Sequence, residues 1–236
     1  MSVKQRVVAI VQARMVSSRF PGKMTQKLGR RRLIDWVLLR MLRCRHIDQL
    51  VLATSVAGQN DVLREIAAGL GVPVVSGSED DVLGRFSIAA RQFDADHVVR
   101  ICADNPFIDP VEVDRLVTTY LDRLPDYGFN HVPRLNNNYP DGLGAEILSD
   151  VLLQRIASVA VMPQHREHVT LYIWDNASEY RIETVQAPDG IAFPEVKLDI
   201  DTPADLARLQ KIASDLDTTS SAQTIVNAYR SAYSFA

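Results

Sequence analysis

Five short runs rich in β-branched residues, separated by longer stretches of helical periodicity, restrict the fold of this chain more than any other feature. The runs lie at residues 7–11, 50–53, 72–75, 98–101 and 196–200. Between the first four, and after the fourth, residues 31–43, 60–70, 81–93 and 111–121 read as helices. Strands that read as continuous apolar runs are buried on both faces, and their alternation with helices predicts a mostly parallel sheet between helical layers. The 236 residues suit one domain. The expected architecture is therefore a three-layer α/β sandwich over 1–236, interrupted by a small β-containing insertion.

That insertion is placed at about residues 125–185. "PDYGFNHVPRLNNNYPDGLG" is dense in Pro, Gly and Asn, and reads as loop or hairpin. Its aromatics Tyr127, Phe129 and Tyr139 stand between turn residues and read as exposed. They suggest a lid over a ligand and a homodimer contact. The α/β pattern resumes at "EVKLDIDTPADLARLQKI", where Pro203 suits a first helical position, and residues 218–233 read as a surface or oligomer-contact helix.

A formal net charge of −3 argues against a nucleic-acid partner. Two cysteines, Cys44 and Cys102, form no disulfide framework and fit a reducing compartment. No apolar stretch approaches membrane-spanning length. The expected location is the cytoplasm, with no membrane partner.

Against that acidic background one loop is locally basic. In "VVAIVQARMVSSRFPGKM" a buried run leads straight into Arg14, Arg19 and Lys23, with Ser17 and Ser18 between them and no acid in the loop. Pro21 and Gly22 predict a sharp turn that holds Lys23 inward. Ligands of open α/β sheets bind beyond the carboxyl ends of the strands. Arg forks and a Lys point charge there suit a triphosphate. The loop lacks the glycine spacing and the Ser or Thr of a Walker phosphate loop, and no GxGxxG occurs.

Two acids complement it. Asp104 follows the apolar run of "VVRICADNPFIDP", and Asp109 before Pro110 is the better helix cap, which leaves Asp104 free. Asp201 follows the last run, with Asp199 two residues earlier on the opposite face. Two carboxylates from separate strand ends suit Mg²⁺, which takes a few carboxylates plus substrate phosphates. Taken alone, Asp201 also reads as a plain helix-entry residue. His165 and His168 stand three apart but lack a third zinc ligand at a convincing spacing.

The motifs "VQARMVSSRFPGKM", "LVLATS", "GVPVVSGSEDDVLGRF", "VVRICADNPFIDP", "YPDGLGAEI", "REHVT" and "LDIDTPADL" occur in the order seen in one family. The chain resembles the spore coat polysaccharide biosynthesis protein F family of cytidylyltransferases, itself similar to CMP-Kdo and acylneuraminate cytidylyltransferases. The resemblance runs from about residue 6 to residue 213. It implies the nucleotide-diphospho-sugar transferase fold and transfer of CMP from CTP to a sugar or sugar-acid acceptor. It further implies release of pyrophosphate, Mg²⁺ as the cofactor and a role in surface polysaccharide biosynthesis.

By the family pattern Gln12, Ala13, Arg14, Ser17, Arg19 and Lys23 hold the nucleotide, and Arg14, Lys23, Asp104 and Asp201 are catalytic. Thr54, Ser55, Ser76 and Ser78 lie around cytosine and ribose. Asp104 and Asp201 hold the metal. Arg134, Asp141, Glu146 and His168 face the acceptor. The chain departs from its relatives at Val16 and Ala103, where Gly is common, and at Phe20, where Leu is usual.

Two other readings compete. A glycosyltransferase of related fold would consume an activated nucleotide sugar through a DxD motif, which Asp199–Ile200–Asp201 matches superficially. A non-catalytic nucleotide binder would not need Arg14, Lys23, Asp104 and Asp201 together.

Overall fold

The structure, a computed structural model, describes residues 4–233. Strand β1 (Val7–Gln12) leads through a short hairpin, β2 (Lys27–Leu28) and β3 (Arg31–Arg32), into helix α1 (Leu33–Met41). Then follow β4 (Gln49–Ser55), α2 (Asp61–Gly69), β5 (Val74–Gly77), α3 (Val82–Gln92), β6 (His97–Cys102) and α4 (Pro110–Arg123). The second half holds β7 (Tyr127–Phe129), β8 (Glu146–Ser149), α5 (Asp150–Val159), α6 (Pro163–Glu167), α7 (Leu171–Asp175), β9 (Ile182–Thr184), α8 (Pro203–Ala213) and α9 (Ala222–Tyr233).

One seven-stranded sheet runs β5-β4-β1-β6-β8-β7-β9. Its first half is parallel, and β8 enters antiparallel to both β6 and β7. Successive side chains of β1 point to opposite faces. Val7, Ala9 and Val11 pack against Ile34, Val37, Leu63 and Leu116 of α1, α2 and α4. Val8 and Ile10 pack against Phe86 of α3 and Leu153 of α5. This is the three-layer α/β sandwich, and burying each of these Val, Ile, Leu and Phe side chains contributes about 1.5–3 kcal/mol. A third cluster joins Trp36, Phe107, Tyr139 and Leu198 to Leu209 of α8 and Ile225 of α9. Arg40, fully buried, ties the layers together by pairing with Asp109 at 3.0 Å and donating to the carbonyl of Ser220 at 2.9 Å.

Three expectations need correction. The fifth run, 196–200, is extended but pairs with no strand of the sheet; its one bridge, Lys197 to Asp141, lies outside the strands. Val196, Leu198 and Ile200 are buried against the third cluster, so the alternation is real. The backbone partners, however, are loops. Asp141 donates to Val196 at 3.0 Å, Leu198 to Asp141 at 2.9 Å and Ile200 to Asp104 at 2.8 Å.

The aromatics Tyr127, Phe129 and Tyr139 are fully buried rather than exposed. Tyr127 and Phe129 lie on β7, which is an interior strand of the main sheet. Tyr139 hydrogen bonds Glu112 at 2.5 Å. The segment 125–185 therefore extends the sheet and adds three helices, rather than standing apart as a hairpin. The helix expected over 31–43 begins two residues late, because Arg31 and Arg32 pair with Leu28 and Lys27 in the hairpin.

Candidate active site

β1 and β6 are neighbouring parallel strands with Gln12 opposite Cys102. Both chains therefore leave the sheet at one edge. After β1 the loop bends back at Gly22, whose φ of +71° is the left-handed region that favours glycine, and its N–H donates to Met15 at 2.9 Å. That turn aims Lys23 under the loop. Val16 does not take a positive φ, so its Cβ brings no backbone strain here. The loop is also braced from β4: Ser55 accepts from Asn60, and Asn60 accepts from the Met15 N–H at 2.8 Å.

After β6, Ala103 donates to Gln12 at 3.1 Å, and Asp109 caps α4 by accepting from Val111 and Glu112. Asp104 remains free of capping, as expected. The extended 196–200 segment then delivers Asp201 beside it. Thr202 caps α8 in a box with Asp205, which frees the Asp201 carboxylate as well.

These pieces surround a cleft of about 260 Å³. Gln12, Ala13, Arg14, Ser17, Arg19, Lys23, Asp104, His168 and Asp201 all line it. The loop carries no acid of its own, and its cations find acids elsewhere. Lys23 Nζ donates to the Ile200 carbonyl at 2.9 Å and lies 3.4 Å from Asp201 Oδ1 and 3.7 Å from Asp104 Oδ2. Arg19 pairs with Asp201 Oδ2 at 2.9 Å, and Arg14 with Glu167 at 2.9 Å.

A divalent cation fits Asp104 and Asp201 by chemistry. Both are hard oxygen donors, partly exposed to the cleft, and close enough to share one ammonium. Among the described residues no three His, Cys, Asp or Glu groups form a ready metal cage. An ion here would complete its shell from a phosphate and water, as Mg²⁺ does.

Two cleft residues escaped the sequence reading. Glu167, at the end of α6, is one. The other is Arg100, which projects from β6 onto the cleft floor. Arg100 lies directly across from Glu146 in the sheet register and forms an ion pair with it. Glu146 is itself 2% exposed. It also accepts from Tyr127 at 2.5 Å and Thr170 at 2.6 Å. Burial by itself would raise the Glu146 pKa, but Arg100, then His131, Thr170 and Tyr127, hold it at about 2. Glu146 thus reaches the cleft only through Arg100. An arginine inside the apolar run "VVRIC" and a glutamate inside "GAEI" were the available signal, because buried charges are nearly always paired.

The remaining expected residues lie outside that lining. Thr54 and Ser55 are fully buried, while Ser76 and Ser78 are exposed at the end of β5. Arg134 is exposed, with its guanidinium 4.2 Å from the Trp174 ring centroid. Asp141 is half-buried beside the last segment. Burial, then the neighbouring Asp199, raises its pKa to about 7. His165 turns away to pair with Asp175 at 2.8 Å, whereas His168 enters the cleft. Burial also pushes the Cys102 thiol up to about 12.

Comparisons with known proteins agree with this arrangement. Residues 8–229 match the cytidylyltransferase family. The chain is similar to the spore coat polysaccharide biosynthesis protein SpsF of Bacillus subtilis, with 33% identity covering 87% of this chain and 85% of that protein. A cytidylyltransferase structure from Leptospira borgpetersenii superposes with a TM-score of 0.89 at 27% identity, covering 98% of this chain and 96% of that one. The structure of a CMP:2-keto-3-deoxy-manno-octonic acid synthetase complexed with CTP shares the fold. Its TM-score is 0.67 at 19% identity, covering 90% of this chain and all of that one. The chain belongs to the cytidylyltransferase family.

Proposed function

We propose that this protein transfers CMP from CTP to a sugar or sugar-acid acceptor, releasing pyrophosphate, with a divalent metal, Mg²⁺, held by Asp104 and Asp201. The observation that carries the proposal is the meeting of Arg19 and Lys23 with Asp104 and Asp201 in one cleft. Cations for a triphosphate and hard carboxylates for its metal converge there. An acceptor oxygen attacks the α-phosphorus in line. A new P–O bond forms as the bond to the bridging oxygen breaks, and pyrophosphate departs with the electron pair.

Arg14, Arg19 and Lys23 offset charge on the leaving group, and their fixed places contribute through positioning and preorganised electrostatics. A bound Mg²⁺ polarises the phosphoryl oxygens as a Lewis acid. Gln12, Ala13 and Ser17 line the phosphate side. Ser76 and Ser78 supply exposed hydroxyls for the nucleoside, with Thr54 and Ser55 buried as the strand beneath them. Arg134, Asp141 and His168 serve the acceptor directly, and Glu146 serves it by orienting Arg100. The SpsF likeness supports a role in surface polysaccharide biosynthesis.

The protein works in the cytoplasm as a homodimer on this reading. The buried aromatics no longer support a dimer. Exposed apolar side chains do: Ile88 on α3, Val151 and Val159 on α5, and Val161 and Met162 just before α6. Light scattering should give twice the chain mass at micromolar concentration, and a monomer mass overturns this part. No helix among the described residues is long and apolar enough to cross a membrane.

Calorimetry tests the main reading. CTP with Mg²⁺ should bind more tightly than ATP, GTP or UTP, and candidate acceptors should then trigger pyrophosphate release. Tighter binding of UTP or of an activated nucleotide sugar would favour the glycosyltransferase instead.

A further inference from the structure

Lys23 sits where a metal ion would. Its ammonium is enclosed by three oxygens: the Ile200 carbonyl, Asp201 Oδ1 and Asp104 Oδ2. The side chain is 10% exposed, so these contacts are not a passing surface pair. The other oxygen of Asp201 belongs to Arg19. Both candidate metal ligands are therefore satisfied by cations of the chain itself.

A divalent ion and an ammonium cannot share these carboxylates at little cost. A doubly charged ion and an ammonium a few ångströms apart repel, and more strongly near a protein interior than in water. The ion must displace Lys23. A displaced lysine also needs a new partner, because a buried unpaired ammonium is costly.

We propose that Lys23 is a resident substitute for the divalent cation. It neutralises Asp104 and Asp201 in the nucleotide-free protein, and yields the position only when a triphosphate arrives to receive its ammonium. Metal and nucleotide then enter together, and the metal alone is refused. The Ile200 carbonyl holds the ammonium itself, and Lys23 already lines the cleft, so its charge is released within reach of an incoming phosphate. This rests on the reading of Asp104 and Asp201 as metal ligands.

The consequence runs against intuition: removing a residue of the nucleotide site should improve metal binding. Mn²⁺ binding, followed by electron paramagnetic resonance without turnover, tests it. Wild type should bind Mn²⁺ weakly alone and tightly with CTP. Lys23→Gln and Lys23→Met should bind Mn²⁺ without nucleotide about tenfold or more tightly than wild type, since the competing charge is gone. Lys23→Arg should stay as weak as wild type. Circular dichroism checks folding, and the methionine variant keeps the buried stem if glutamine does not fold.

Mn²⁺ affinity in Lys23→Gln and Lys23→Met no greater than in wild type overturns the proposal. If Asp104→Asn and Asp201→Asn leave Mn²⁺ uptake by the CTP complex equal to that of wild type, the assignment of Asp104 and Asp201 fails instead. The two failures are distinct.

Discussion

The backbone N–H of Ile200 donates to the carbonyl of Asp104 at 2.8 Å, and this bond sets the Asp104 and Asp201 carboxylates side by side. No strand pairing is involved. A segment from the last third of the chain docks onto the turn after β6, and the residue that follows the contact is Asp201. The charged groups of the cleft are then balanced in pairs drawn from different loops.

Asp104→Asn and Asp201→Asn keep shape and remove charge. Each should reduce pyrophosphate release by about a hundredfold or more, the scale seen when one electrostatic contact to a transition state is lost. Neither carboxylate caps a helix, since Asp109 and Thr202 do that, and in each variant Lys23 keeps the Ile200 carbonyl and the other carboxylate, so melting temperatures should fall only modestly. Turnover and melting measured on the same samples decide it: retained activity with lost stability would make both residues structural.

Glu146→Gln strips the charge from the buried partner of Arg100. Breaking a buried ion pair leaves the other charge uncompensated, and should cost about 3–5 kcal/mol in urea unfolding. The loss should be smaller in the double variant with Arg100→Met, which removes both charges. A Glu146→Gln protein as stable as wild type would contradict the network of Arg100, Tyr127 and Thr170 described above.

Asp141 gives a pH signature. Its folded pKa, raised from 3.8 to about 7, lies above the unfolded one. Between those values the folded chain holds a proton that the unfolded chain has lost. Stability from this group therefore falls as pH rises through the window, and the full cost applies above neutrality. Asp141→Asn should melt higher than wild type at about pH 8, with the difference shrinking toward about pH 4. Equal differences at both ends would show that burial and Asp199 do not set its titration.

The Arg14–Glu167 pair spans the mouth of the cleft with both side chains partly exposed. Exposed pairs contribute about 0.2–1 kcal/mol. A phosphate must compete with Glu167 for Arg14, so Glu167→Gln should tighten CTP binding by about two- to fivefold in calorimetry. The gain should vanish when Arg14→Gln is added. Weaker CTP binding in Glu167→Gln would instead make Glu167 a support that holds Arg14 in place.

The parallel half of the sheet was readable because β1, β4 and β6 are buried on both faces and read as apolar runs. The cationic loop and the Asp104 turn follow those strands directly, so they were readable too. The second half was obscure for a physical reason. β7, β8 and β9 are three or four residues long, and they lie among Pro, Gly and Asn that dominate the local pattern.

The burial of β7 and β8 comes from their interior places in the sheet, between β6 and β9, a non-local fact. Tyr127 therefore looked like a surface aromatic while lying in the core. Glu167 sits on a five-residue helix whose position is set by contacts far along the chain, including Arg166 to Asp81 at 2.5 Å. Arg100 and Glu146 were each visible as misfits in apolar runs. Their partnership needed the register of β6 against β8.

The docking of 196–200 onto loops has a consequence for biogenesis. During synthesis β1, β4, β5 and β6 leave the ribosome well before residues 196–200. The carboxylate of Asp104 then waits without its companion, and Lys23 lacks the Ile200 carbonyl. Competence arises only after the late segment has emerged and wrapped back onto the earlier turn. A chain ending before Ile200 would leave Arg19 without its carboxylate partner and Lys23 without two of its three oxygens.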